Sequence, residues 1–172
     1  MTRPAVTLTL AVGLSSLSVA MEGAYGLLSR TFGRPAWLAH AALSVPPWVW
    51  FLRSLRHIPR TRRRVSPALG WAGLAGEAAG LALVAAGFLR LGPAAVVNGD
   101  LFGLIDRNRP YRPVFGVVKD PIYTGYAAWL AGWGLRTGRI SLLPLAVQMF
   151  VMLTLEARIE DWAAGRRPTI AW

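Results

Sequence analysis

Long apolar runs alternate with short basic breaks along this chain. Residues 5–28 are apolar with a single charge, Glu22. Residues 35–52 carry no formal charge and contain Pro46–Pro47, which predicts a kinked helix because proline removes a backbone donor. Residues 65–89 form a third apolar run, again with one acid, Glu77. Residues 93–105 are a shorter run interrupted by Gly99–Asp100. After a polar, basic stretch at 106–120 come two uncharged runs, 121–135 and 140–155, separated by Arg136–Arg139, and then a charged tail at 156–172. A helix needs about 20 apolar residues to cross a bilayer. The runs 5–28, 35–52 and 65–89 qualify; the last two can lengthen through interfacial ends, where arginine snorkels. Runs this continuous lack the period-2 alternation of a membrane β-barrel. The expectation is an all-α, polytopic integral membrane protein of four or five membrane helices ending in a helical hairpin. Residues 93–105 are a candidate re-entrant piece.

Composition and charge narrow this further. Of 172 residues, 54% are hydrophobic and only 16% charged, which excludes disorder and argues against a soluble surface. Lysine and arginine number 19 against 8 acids, a net charge of +11, and Lys119 is the single lysine. On a soluble domain that balance would point to nucleic acid. Here the arginines sit between apolar runs, so the expected contacts are lipid headgroups and no nucleic acid. Six arginines fall within 53–64, and the positive-inside tendency puts that loop in the cytoplasm. With no cysteine and two histidines, no metal site is expected.

Two acids lie inside apolar runs, and each needs a partner or a wet cavity. Glu22 is one; Glu77, inside Gly76-Glu77-Ala78-Ala79-Gly80, is the other. The small residues around Glu77 have two readings: close helix packing, or room for a ligand against backbone. The remaining polar residues gather at Gly99-Asp100-Leu101-Phe102-Gly103, at Lys119-Asp120-Pro121-Ile122-Tyr123-Thr124-Gly125, and at Glu156-Ala157-Arg158-Ile159-Glu160-Asp161. The second and third flank the hairpin built from 121–135 and 140–155. A hairpin returns its ends to one membrane face, so these two elements are expected to meet there. Ser18-Val19-Ala20 has the small residues of a signal-peptide cleavage site.

In order and spacing these motifs resemble the membrane phospholipid methyltransferases, specifically phosphatidylethanolamine N-methyltransferases. That family has Gly-Asp-x-Phe-Gly, then Asn-Pro-x-Tyr-x-Gly, then an apolar helix ending in paired acids. The corresponding residues are Gly99–Gly103, Asp120-Pro121-Ile122-Tyr123-Thr124-Gly125, and Glu160-Asp161. Leu28-Ser29-Arg30-Thr31-Phe32-Gly33, Leu43-Ser44 and Phe51-Leu52-Arg53-Ser54 are similar as well, so the resemblance covers nearly the whole chain and favours a retained first helix. The wider superfamily includes isoprenylcysteine carboxyl methyltransferases, which carry Arg-His-Pro-x-Tyr where this chain has Lys119-Asp120-Pro121-Ile122-Tyr123. That departure favours the phospholipid branch.

The resemblance implies methyl transfer from S-adenosylmethionine (SAM) to the amine of an ethanolamine phospholipid, by a single domain spanning residues 1–172. It puts the family's Gly-x-Gly on Ala78, Ala79 and Gly80, with alanine for the first glycine, and the paired acids on Glu160 and Asp161, with aspartate for the second glutamate. Glu156, one turn earlier, can share their role. Acids pair the SAM ammonium, and Arg158 or Lys119 is expected to pair its carboxylate. The acceptor amine must be neutral to attack, which requires a base; Asp100, Asp120 and Glu77 are candidates. Asp100, Asp120 and Tyr123 are the expected catalytic residues, and Glu77 and Tyr126 the expected substrate contacts, Tyr126 through cation–π attraction. The expected location is a bacterial inner membrane with the SAM site facing the cytoplasm. That requires an even number of crossings between the 53–64 loop and the 106–120 stretch, or one segment lying in the interface. The alternatives are a methyltransferase for another lipophilic acceptor (a prenylcysteine carboxylate, a thiol or a small amine) and a non-enzymatic membrane assembly or transport protein.

Overall fold

The computed structural model of the protein describes residues 3–32, 35–60, 65–92, 118 and 120–163. The described chain is helical throughout, with no strand among the described residues: α1 (Arg3–Tyr25), α2 (Leu27–Phe32), α3 (Ala36–Ser54) with a closing 3-10 turn (Leu55–His57), α4 (Pro67–Leu91), α5 (Pro121–Thr137) and α6 (Leu142–Ala163). Arg3–Glu22, Pro67–Arg90 and Leu142–Glu160 are long and apolar enough to cross a membrane. At 19 and 17 residues, α3 and α5 lie at the short end of the spanning range.

Local chemistry explains the boundaries. Ser66 caps α4, its hydroxyl accepting from the Leu69 N–H at 3.3 Å, and Pro67 takes the first helical position, where its missing donor costs nothing. Pro121 opens α5 in the same way, and Gly138 closes it in the left-handed conformation at φ 69°, which costs a side-chain-bearing residue more. Helix α3 runs continuously through Pro46 and Pro47. Helix α6 runs on to Ala163, so Glu156 and Glu160 lie near the end of a 22-residue helix.

The contacts fix the helix directions. Thr7 meets Ser54 at 3.0 Å and Ser18 meets His40 at 2.8 Å, so α1 and α3 are antiparallel. Gln148 donates to the Ala5 carbonyl at 3.2 Å, and Val19 packs with Ile159 and Ala163, so α1 and α6 are parallel. Leu8, Phe51, Leu55, Leu130, Leu142, Met149 and Leu153 form the buried core where α1, α3, α5 and α6 meet.

Helix α4 packs along α5 through small residues. Side chains added at Gly73 and Gly80 would run into the α5 backbone at Arg136 and Trp129, one at Gly76 would press on Gly132 at 3.3 Å, and one at Gly87 would meet Ile122. The packing reading of this glycine stripe is therefore the one realised, and α4 and α5 are antiparallel. Helices α4 and α6 thus end, and α5 begins, at one end of the bundle. The opposite end gathers Arg3, His57, Ile58 and Ser141 around one cleft.

Candidate active site

Helix α5 begins at Asp120-Pro121, which turns Tyr123 towards α6. Across the hairpin the Tyr123 hydroxyl donates to Glu160 Oε1 at 2.9 Å. Asp120 and Glu156 are near enough to act electrostatically on that hydroxyl. Glu156, 3% exposed, is hydrogen-bonded to Ser15 of α1. Ser18, one turn further along α1, hydrogen-bonds Nδ1 of His40 at 2.8 Å. The bundle end therefore holds three carboxyl groups and a phenol, with hydroxyls and an imidazole behind them. At about 100° per residue, Glu156 and Glu160 share one face of α6.

The other sequence candidates fall in different places. Arg158 is exposed, on the far side of α6 from Glu156 and Glu160 by the same periodicity. Asp161 belongs to α6, but its side chain lies outside the described residues, as do Asp100, with its Gly99–Gly103 motif, and Lys119. Ala78 and Ala79 are exposed, and Gly80 is buried against the α5 backbone at Gly125 and Trp129. The residues of α5 that face α4 (Ile122, Gly125, Gly132) and those that face α6 (Tyr123, Leu130, Gly134) are separated by roughly 150°. Helix α5 therefore stands between the 78–80 segment and Glu160.

Glu77 is also drawn elsewhere. Its Oε1 accepts from Arg136 Nε at 2.9 Å. It lies level with Gly132 of α5, roughly 14 Å along the helix axis from Tyr123. Tyr126 stacks on Trp48 of α3, with ring centroids 6.4 Å apart. Trp129 stacks on Trp133, and Arg139 lies 5.1 Å over the Trp133 ring, which turns these aromatics towards the opposite end. The buried Glu22 accepts from the Leu28 N–H at 2.9 Å and so stabilises the start of α2. Both intramembrane acids thus have partners, as burial demands.

Sequence reasoning missed Ser15, Ser18 and His40. The spacing Ser15, Ser18, Glu22 marks one polar edge on an apolar helix, and that was a usable signal; their partners on α6 and α3 were not readable. A paired carboxylate beside a second, buried carboxyl group suits an organic cation such as the SAM ammonium. The residues at this end therefore fit the acidic half of the expected SAM site, while the 78–80 segment is not adjacent to it.

The family model described as phospholipid methyltransferase matches residues 69–164. Over 140 residues the chain is 34% identical to phosphatidylethanolamine N-methyltransferase of Homo sapiens, covering 75% of this chain and 70% of that one. It is 30% identical over 139 residues to the protein of the same name from Rattus norvegicus, with coverage of 75% and 70%. No solved structure matches the chain.

Proposed function

This chain belongs to the phospholipid methyltransferase family, and from that premise we propose that it transfers methyl groups from SAM to the amine of a phosphatidylethanolamine-type phospholipid at the membrane interface. The observation that carries this reading is the Tyr123–Glu160 hydrogen bond. It joins the two motif elements that the family shares, at one end of the bundle, inside the matched region.

When bound, SAM supplies the electrophilic methyl group. Glu160 would pair its ammonium, and the Tyr123 hydroxyl fixes the carboxylate for that contact. Glu156, enclosed and held by Ser15, keeps the surroundings favourable to a cation. The amine of the acceptor must lose a proton before it attacks. Asp120 is our assignment for that base: it opens α5 three residues before Tyr123, whereas Glu77 is committed to Arg136. Lys119, the residue before Asp120, is our assignment for the SAM carboxylate, because Arg158 is on the far side of α6. The rest of the rate follows from holding the reactants in line and excluding water.

SAM is charged and water-soluble, so the end carrying Tyr123 and Glu160 faces the cytoplasm in this reading. Helix directions then put Arg53, Arg56 and Arg60 at the opposite membrane surface. In this reading α4 crosses once between the arginine-rich loop and the site, so the two lie on opposite membrane faces, unless one segment lies in the interface.

The test uses the full chain in nanodiscs with methyl-labelled SAM and ethanolamine, monomethyl- or dimethylethanolamine phospholipids. Label entering lipid, and lost in Glu160→Ala, is the expected result. SAM binding without transfer to any of the three lipids would reject the acceptor; absence of both would reject the activity.

A further inference from the structure

The end of the bundle away from Tyr123 has a different chemistry. A cleft of about 260 Å³ opens between the start of α1, the segment after α3 and the α5–α6 turn. Arg3, His57 and Ser141 contribute its polar groups, and Pro4, Ile58 and Leu145 line it with apolar surface. Arg53, Arg56 and Arg60 are exposed on the neighbouring segment. Among the described residues the carboxylates lie elsewhere: Glu22, Asp120, Glu156 and Glu160 belong to the other end, and Glu77 is occupied by Arg136. This surface is therefore basic without internal neutralisation.

We infer that this cleft is a second lipid site, which holds the phosphodiester headgroup of an anionic phospholipid. Three features select that occupant. Arginine donates bidentate, charge-assisted hydrogen bonds to phosphate, and His57 and Ser141 add donors at the same rim. The apolar lining is unsuited to free phosphate but suited to the glycerol and first methylenes of a lipid. The volume lies below the roughly 300–1,000 Å³ of pockets that enclose whole small molecules, so it takes a headgroup while the acyl chains run outside along the helices. Helix α1 is 23 residues long, about 34 Å end to end, so this site is distinct from the one at Tyr123 and belongs to the opposite leaflet. The site does not depend on the proposed methyl transfer.

The cysteine-free sequence provides a direct test. Ser141→Cys, purified in a neutral detergent, is labelled with a water-soluble maleimide in the presence of short-chain phosphatidylglycerol, short-chain phosphatidylcholine, glycerol phosphate or inorganic phosphate. The expected result is that phosphatidylglycerol slows labelling at concentrations roughly tenfold or more below those of phosphatidylcholine, as a charge-assisted arginine contact implies. Arg3→Gln with His57→Gln, in the same background, should abolish that difference while the thermal midpoint without lipid stays unchanged. In parallel, native mass spectrometry of the wild-type chain should retain phosphatidylglycerol over phosphatidylcholine, a readout independent of either variant's folding. Equal protection by the two lipids overturns the proposal. So does equal protection by glycerol phosphate or inorganic phosphate, or a phosphatidylglycerol preference that survives in a folded double variant.

Discussion

At the residue scale, Tyr123 and Glu160 act as a pair. The hydroxyl donates to a carboxylate across 2.9 Å, and a hydrogen bond to a charged acceptor is worth about 1.5–3 kcal/mol. Tyr123→Phe keeps the ring and removes only the donor. We expect methyl transfer in nanodiscs to fall by roughly 10- to 100-fold, with the helix content unchanged by circular dichroism. Arg136 and Glu77 form a second pair of unequal exposure: the glutamate is 13% exposed and the arginine 43%. Removing the arginine leaves a carboxylate enclosed between α4 and α5, whereas removing the glutamate leaves a cation that can reach water. Arg136→Ala should therefore cost more stability than Glu77→Ala, by a margin of about 1–3 kcal/mol, and unfold at the lower temperature. Tryptophan fluorescence in detergent would read both, and the double variant should recover part of the loss.

At the element scale, the α4–α5 contact depends on the absence of side chains. Gly80 faces the Trp129 and Gly125 backbone, while a Cβ at Gly70, three turns earlier on the same helix, would meet nothing within 4 Å. Gly80→Leu should separate the helices and cost several kcal/mol through lost packing. Gly70→Ala should be neutral or gain up to about 1 kcal/mol from helix propensity. Thermal midpoints of the two variants, measured side by side, separate a packing glycine from an incidental one. The contrast also shows what the sequence made readable. The helices themselves followed from apolar runs bounded by Ser-Pro, Asp-Pro and glycine. That Asp120–Tyr123 and Glu156–Glu160 would meet followed from hairpin topology. Which glycines pack, and that Glu77 would find Arg136, depended on the α4–α5 register. That register is set by steric fit between residues 59 apart and leaves no periodic trace. That α6 carries Glu156 and Glu160 on its last turns agrees with the family's apolar helix ending in paired acids.

At the scale of the whole molecule, the arrangement fixes two dissimilar ends, and that was the part least available from sequence. Counting arginines put the 53–64 loop on the site's side; the helix directions put Arg53, Arg56 and Arg60 across the bundle from it. Labelling in intact cells and in sealed inverted membrane vesicles distinguishes the two arrangements. Arg56→Cys and Arg158→Cys are each single cysteines in a cysteine-free chain, exposed at opposite ends. With the site in the cytoplasm, an impermeant maleimide added outside the cell should modify Arg56→Cys and spare Arg158→Cys. The reverse pattern would place the site outside and exclude SAM as its donor.

The Glu77–Arg136 pair has a consequence for biosynthesis. The carboxylate is synthesised 59 residues before its partner. At about 5–20 residues per second, helix α4 waits roughly 3–12 seconds for Arg136 to emerge. During that interval its one acid has no guanidinium to neutralise it, and its glycine face has no helix to cover it. The third apolar run is long and apolar enough to enter the bilayer by itself, but its acid gains its ion pair and its glycine face gains its cover only when α5 arrives beside it.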